Sequence, residues 1–329
     1  MGGNALKDVE RVDKGLYETY CREISDILPR EFGVLTRFAI IPSYRSKKTF
    51  GDMDILVCNS YLTEGWRERL NAHFCGIGER NDFVKNGPVT SFNFNGFQID
   101  IILSNAEDFD FSLGYFSWND LGNLIGRVAH RHRFKFGHNG LWYIVRDGDY
   151  KVTEIRLTVN FFDALTFLGF DAEQWNHGFD DIEDIFKFVS ESKYFKKDMY
   201  PLEHRSHRAR IRDAKRKTYT DFLKWVDEKK PDDGVSIELF PKAHETFERF
   251  ADEYNDAIYK LGVQRSAKSK FNGDIVSELT GLTGVELGGF MMYLRRFLPY
   301  CSSDAIVNIA EEDIRELIME DFRGYSTNH

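Results

Sequence analysis

The sequence predicts an α+β fold: a mixed or antiparallel sheet with flanking helices, followed by a mostly helical C-terminal domain. Three observations predict it. Strand signals lie almost wholly before residue 170. Asn95-Gly96 stands between two apolar runs of strand length, Val89 to Phe94 and Phe97 to Leu103. A type I′ hairpin needs positive φ at both turn positions, which Asn and Gly tolerate. Beyond 170, apolar residues recur at helical spacing through 180–199, 203–229, 241–260, 285–298 and 311–322.

The elements follow in order. Residues 8–28 read as a helix, because Val12, Leu16, Tyr17, Tyr20 and Ile24 fall near helical spacing. Residues 37–42 and 53–58 read as strands, and 63–74 as a short helix. After the Asn-Gly hairpin, 119–131 reads as a helix. Residues 141–146 and 151–156 read as strands about Asp147-Gly148-Asp149, and 160–168 as another helix. Pro231-Asp232-Asp233-Gly234 is a chain breaker. The polar run Gln264 to Lys270 reads as a mobile basic connector. Phe271 to Phe290 reads as two short helices joined at glycines.

At 329 residues the chain is long enough for about two domains. A hydrophobic content of 42%, with 29 Phe and 15 Tyr, is ample for a core. No run reaches the ~18 apolar residues of a membrane span. The start, Met1 to Lys7, lacks the apolar run of a signal peptide. Cys21, Cys58, Cys75 and Cys301 are scattered without metal-ligand spacing. The expectation is a cytoplasmic protein with reduced thiols and no membrane partner. A net charge of −9 argues against a nonspecific nucleic-acid coat protein. It leaves room for a local basic footprint, and there are two: 127–135, with Arg127 and Arg131, and 204–217, with Arg205, Arg208, Arg212, Lys215 and Arg216. Either is a solvated face or a phosphate-backbone contact; scarce acid across 204–217 favours the second.

The chemistry centres on three carboxylates. Asp52 and Asp54 lie one residue apart in Gly51-Asp52-Met53-Asp54-Ile55-Leu56-Val57. Strand side chains alternate, so the two aspartates share a face while Met53, Ile55 and Val57 fill the other. Asp100, in Gln98-Ile99-Asp100-Ile101, faces opposite to Phe97, Ile99 and Ile101. Three carboxylates on neighbouring strands make a hard-oxygen site suited to Mg²⁺ or Mn²⁺. Without a cation they repel one another. Upstream, Ile40-Ile41-Pro42-Ser43-Tyr44-Arg45-Ser46-Lys47-Lys48 reads as a strand and then a turn with a hydroxyl and cations. Such a turn can hold a triphosphate.

This arrangement resembles the nucleotidyltransferase superfamily of DNA polymerase beta, whose pattern is Gly-Ser, a short basic loop, Asp-x-Asp, and a later strand carboxylate. Tyr115-Phe116-Ser117-Trp118-Asn119-Asp120-Leu121-Gly122-Asn123, with Arg127 following, is similar to the family-X polymerase segment that opens the nucleotide-binding subdomain. Two departures stand out: Pro42 where the family has Gly, and Ser117-Trp118 after the Tyr-Phe pair. The glycine-joined helices at 271–290 are similar to the C-terminal segment of bacterial CCA-adding tRNA nucleotidyltransferases, or are a plain helical hairpin with Gly caps.

The resemblance implies a palm over 1–112, a nucleotide-binding subdomain over 113–170 and a helical, nucleic-acid-binding domain over 171–329. It implies two divalent cations held by Asp52, Asp54 and Asp100, and a triphosphate gripped by Ser43, Arg45 and Lys47 or Lys48. Tyr115 and Phe116 would shape the sugar pocket, Asp120 and Asn123 would face the base, and Arg127 the template or acceptor strand. The implied reaction moves a nucleoside monophosphate from an NTP or dNTP to a nucleic-acid 3′-hydroxyl, on a DNA primer or on the 3′ end of RNA or tRNA. Two alternatives stand beside it: transfer to a protein or small-molecule hydroxyl, and an inactive nucleic-acid-binding relative.

Overall fold

The computed structural model describes residues 5–75, 83–230 and 238–326. The expected breaker at Pro231 to Gly234 lies outside the described residues. The fold is α+β, as the sequence predicts. Two compact units result: Met1–Ile144 with Glu154–Glu248, and Val145–Thr153 with Arg249–His329. Residues 171–248, expected to go with the C-terminal helices, belong to the first unit.

The first unit begins with β1 (Val12–Asp13), α1 (Lys14–Phe32), β2 (Phe38–Ile40), β3 (Thr49–Phe50) and β4 (Asp52–Cys58). Next come α2 (Trp66–Cys75), β5 (Val84–Asn86), β6 (Val89–Phe94) and β7 (Phe97–Ser104). The main sheet has five strands in the order β2-β4-β7-β6-β5. Its central pair, β4 and β7, runs parallel, and the remaining pairs are antiparallel. The β6–β7 turn is the one the Asn-Gly pair predicts: φ is 52° at Asn95 and 77° at Gly96, and Phe94 pairs with Phe97.

Alternation along β4 builds both faces of this sheet. Met53, Ile55 and Val57 are fully buried. They pack with Phe92, Phe97, Ile99 and Ile101 beneath α1 and α2, which contribute Ile24, Leu28, Phe32, Trp66 and Leu70. Each such side chain contributes about 1.5–3 kcal/mol on leaving water. The opposite face carries Leu56, Cys58 and Ile102, covered by Phe109 and Leu113. Asp52 and Asp54 lie on that same face, toward the start of the strand.

The covering helix is α3 (Phe109–Phe116), followed by α4 (Leu121–Arg131), β8 (Phe134–Gly137), β9 (Gly140–Asp147) and β10 (Tyr150–Thr158). The last three form a second sheet in the order β10-β9-β8. Helices α3 and α4 meet closely because residue 122 is glycine. A Cβ there would lie 2.2 Å from the Tyr115 carbonyl oxygen. Then follow α5 (Phe161–Phe167), α6 (Ala172–His177), α7 (Ile182–Ser190), α8 (His207–Ala214), α9 (Lys217–Lys229) and α10 (Phe240–Thr246).

The predicted helix over 203–229 is broken. Asp213 near the end of α8 is fully buried against Arg205 and Arg212, and α9 starts afresh at Lys217. The predicted helix over 180–199 stops at Ser190, where Ser192 turns the chain by donating to the Leu168 carbonyl, 2.9 Å away.

The second unit holds α11 (Phe250–Lys270), α12 (Gly273–Thr280), α13 (Gly284–Leu294), α14 (Ser303–Val307) and α15 (Glu311–Ser326). Residues 264–270 continue α11 rather than forming a mobile connector. Ala267 is buried in the unit's core, and Arg265 pairs with Asp147. Polar residues on an exposed helix face resemble a connector in composition alone. The glycine joint between α12 and α13 is present, with φ of 72° at Gly281 and 55° at Gly284. Among the described residues, no helix is long and apolar enough to cross a membrane.

Candidate active site

Parallel pairing sets Asp54 directly opposite Asp100 and Asp52 opposite Gln98. One carboxylate oxygen from each of Asp52, Asp54 and Asp100 lies within 4.8 Å of the others. Gln98 orients this cluster. Its Oε1 accepts from the Ala5 backbone N–H at 3.0 Å. Its Nε2 must then point the other way, and it donates to both Asp100 oxygens at 2.9 Å. The side chain is buried, so the orientation is held.

Crowding and burial set the charges. Burial first, then Asp52 and Asp100, push the Asp54 carboxyl up to about 8. Burial also raises Asp100, against the lowering effect of hydrogen bonds from Ser91 and Gln98. Burial pulls the Lys47 ammonium below its ordinary value, and Asp52 and Asp54 oppose that. The Lys47 Nζ lies 3.1 Å from Ser43 Oγ and 4.5 Å from the centre of the Phe50 ring. Phe50 in turn stacks on Tyr17 at 3.7 Å. Burial holds the Tyr17 hydroxyl far above its usual range, with Cys21 and then Asp54 and Asp52 adding to it.

Lys47 acts on this cluster as a cation, lowering the Asp54 carboxyl against the larger raising effects of burial, Asp52 and Asp100. The donor set is all carboxylate oxygen, and the three side chains lie close enough together to hold a metal ion.

Asp52 and Asp54 open into a cleft of about 770 Å³. Ser43, Lys47, Asp52 and Asp54 line one side, and Tyr115, Phe116, Asp120 and Asn123 another. Arg212, Lys215 and Arg216 line it from the α8–α9 junction. Tyr115 and Phe116 meet edge to face at 5.3 Å. Phe116 stacks on His138 at 6.0 Å.

Several expected residues are placed elsewhere. Arg45 donates to Asp180 at 2.8 Å and to the His177 carbonyl and does not line the cleft. Lys48 is exposed outside it. Arg127 is buried and gives Nε and Nη2 to the Met199 carbonyl at 2.9 and 2.6 Å. Arg205 is buried and pairs with Asp213 at 2.5 Å. Arg131 is exposed, 3.5 Å from Asp198, and Arg208 is exposed on α8. Asp120, expected over a base, pairs with Arg216. Asn123 lies 3.4 Å from Asp213.

The two departures from the polymerase pattern touch each other: the Trp118 N–H donates to the Pro42 carbonyl at 2.8 Å. Trp118 and Asn119 both sit at positive φ, 63° and 64°. Neither is glycine, so this turn between α3 and α4 carries strain beside the cleft. Tyr17, His138, Asn119 and Thr218 also line the cleft, and sequence reasoning gave none of them a role there. Tyr17 read only as one residue of a helical apolar stripe. Sequence reasoning also gave Gln98 no role, although its place two residues before Asp100 puts it on the same strand face as that carboxylate.

A scan against protein-family models returns no match, and a search of curated proteins finds no relative. The fold and the cleft define a class no finer than an α+β protein with a clustered acidic site.

Proposed function

We propose that this protein is a metal-dependent nucleotidyltransferase. One observation carries the reading: three carboxylates converge on adjacent parallel strands, and two of them, Asp52 and Asp54, line a cleft that also presents Lys47, Arg212, Lys215 and Arg216. An acidic cluster suits divalent cations, and a basic wall suits phosphates.

Asp52, Asp54 and Asp100 would hold the two cations. Bound there, Mg²⁺ or Mn²⁺ supplies charge neutralisation and polarises phosphoryl oxygens. The protein's own residues do the rest. Tyr115 and Phe116 wall the cleft beside the sugar and base. Asp100, oriented by Gln98, accepts the proton of the acceptor hydroxyl. One bond forms, from the acceptor oxygen to the α-phosphorus of an NTP or dNTP. One breaks, from that phosphorus to the bridging oxygen of pyrophosphate, which leaves.

The acceptor on this reading is a nucleic-acid 3′-hydroxyl. A second reading, transfer to a protein or small-molecule hydroxyl, is favoured by where the cations go. Arg127 and Arg205 are buried in ion-pair and carbonyl contacts, and Arg212, Lys215 and Arg216 line the cleft. Of the cations expected on a nucleic acid, Arg131 and Arg208 alone remain exposed outside the cleft.

The test is transfer of labelled nucleotide by wild type and by Asp100→Ala. Primer–template DNA, single-stranded DNA, tRNA lacking its 3′ end, and no added acceptor are compared. Loss of transfer in the variant is expected. Equal transfer by both ends the assignment.

A further inference from the structure

We infer that the terminal phosphates of the nucleotide are held by Arg212, Lys215 and Arg216 at the α8–α9 junction, and that Asp120 occupies Arg216 as a stand-in anion until they arrive. This rests on the nucleotidyltransferase reading and names the phosphate subsite of the same cleft.

The argument begins with the Ser43–Lys48 turn, which cannot supply enough charge. Arg45 is committed to Asp180 and His177. Lys48 is exposed away from the cleft. Only Ser43 and Lys47 reach it, and Lys47 is bonded to Ser43 and packed over Phe50. One lysine is a poor match for a chain of three phosphates, which carries several negative charges and many acceptor oxygens.

The α8–α9 junction supplies what the turn lacks. Lys215 is exposed to the cleft and, among the described residues, its side chain has no ion-pair or hydrogen-bond partner. Arg212 reaches the cleft with its Nε 3.0 Å from Asp213 Oδ1 and about half its side chain exposed. Its guanidinium has further donors beyond that contact. Arg216 pairs with Asp120, and both are partly exposed to the cleft. A partly exposed pair is weak, so an incoming phosphate can replace the carboxylate on the same guanidinium. Arg212, Lys215 and Arg216 stand at i, i+3 and i+4, a spacing that keeps side chains on one side of a helical path, and all three line the cleft where α8 gives way to α9.

The experiment is calorimetric titration of the full chain with inorganic tripolyphosphate in the presence of Mg²⁺, alongside the transfer assay. Lys215→Gln removes an exposed cation and leaves the fold alone, which an unchanged melting curve verifies. It is expected to weaken tripolyphosphate about tenfold, the size of one charge-assisted contact. Asp120→Asn is expected to tighten it about threefold, the size of one partly exposed pair relieved. Adding Arg216→Gln to Asp120→Asn abolishes that gain.

If Lys215→Gln binds as wild type and Asp120→Asn tightens nothing, the phosphate subsite is wrong. Transfer of nucleotide by the wild type would still uphold the enzyme reading. If the fold-changes appear but no nucleotide is transferred to any acceptor, the subsite stands and the transferase reading falls.

Discussion

Asp54 offers the sharpest test of the acidic cluster. Its carboxyl ordinarily titrates at 3.8 and is held at about 8 in the folded chain by burial and by Asp52 and Asp100. Between those values the native state keeps a proton that the unfolded state has lost. Folding stability without metal therefore falls as pH rises from about 4 to about 8, and the penalty is complete above 8. At about 1.4 kcal/mol per pH unit of separation, the ceiling is about 6 kcal/mol. The side chain is half-buried beside an open cleft, so solvent screening brings the expected effect to about 2 kcal/mol.

Asp54→Asn removes the ionisation and keeps the shape. Without divalent ions, its melting temperature at pH 8.5 should exceed wild type by about 5 °C, with the difference vanishing near pH 4. Millimolar Mg²⁺ or Mn²⁺ should raise the wild-type value at pH 8.5 and leave Asp54→Asn nearly unmoved, because a cation binding only the folded cluster stabilises by mass action. The assay is thermal unfolding across pH 4–9, with chelator and with metal. Parallel curves for the two proteins over that range, or metal effects equal in both, would refute the reasoning.

Two further perturbations follow from the packing. Gly122→Ala places a Cβ 2.2 Å from the Tyr115 carbonyl oxygen and 3.0 Å from its ring. It should destabilise the chain by about 2 kcal/mol in denaturant unfolding through forced separation of α3 and α4. A loss below 0.5 kcal/mol would mean that the two helices are not in tight contact. Asp213→Asn leaves the buried Arg205 guanidinium without its counter-charge. It should cost about 3 kcal/mol by the same measurement. Removing both partners in Arg205→Met with Asp213→Leu should cost less than the single change.

The sequence by itself determined the local geometry of this protein. Period two in Asp52-Met53-Asp54 decides which side chains go to the core, because one residue of slip would bury both carboxylates and expose Met53 and Ile55. Asn95-Gly96 decides the hairpin, because few other pairs tolerate two positive φ values in succession. Such features depend on neighbours a few residues apart, and a pattern can be read there.

Tertiary structure decided everything that depends on distant partners. Arg127 and Arg216 look alike in a basic stretch. One is buried on the Met199 carbonyl and the other lines the cleft with Asp120. Arg45 was legible as a loop cation, but Asp180, far along the chain, decides where its charge is spent. Tyr17 reaches the cleft only because α1 packs beside Phe50. The helix through 264–270 exists because Ala267 finds a core in its own unit. Burial and charge pairing are properties of the assembled chain: the free energy of a cation depends on what surrounds it, and composition does not record that.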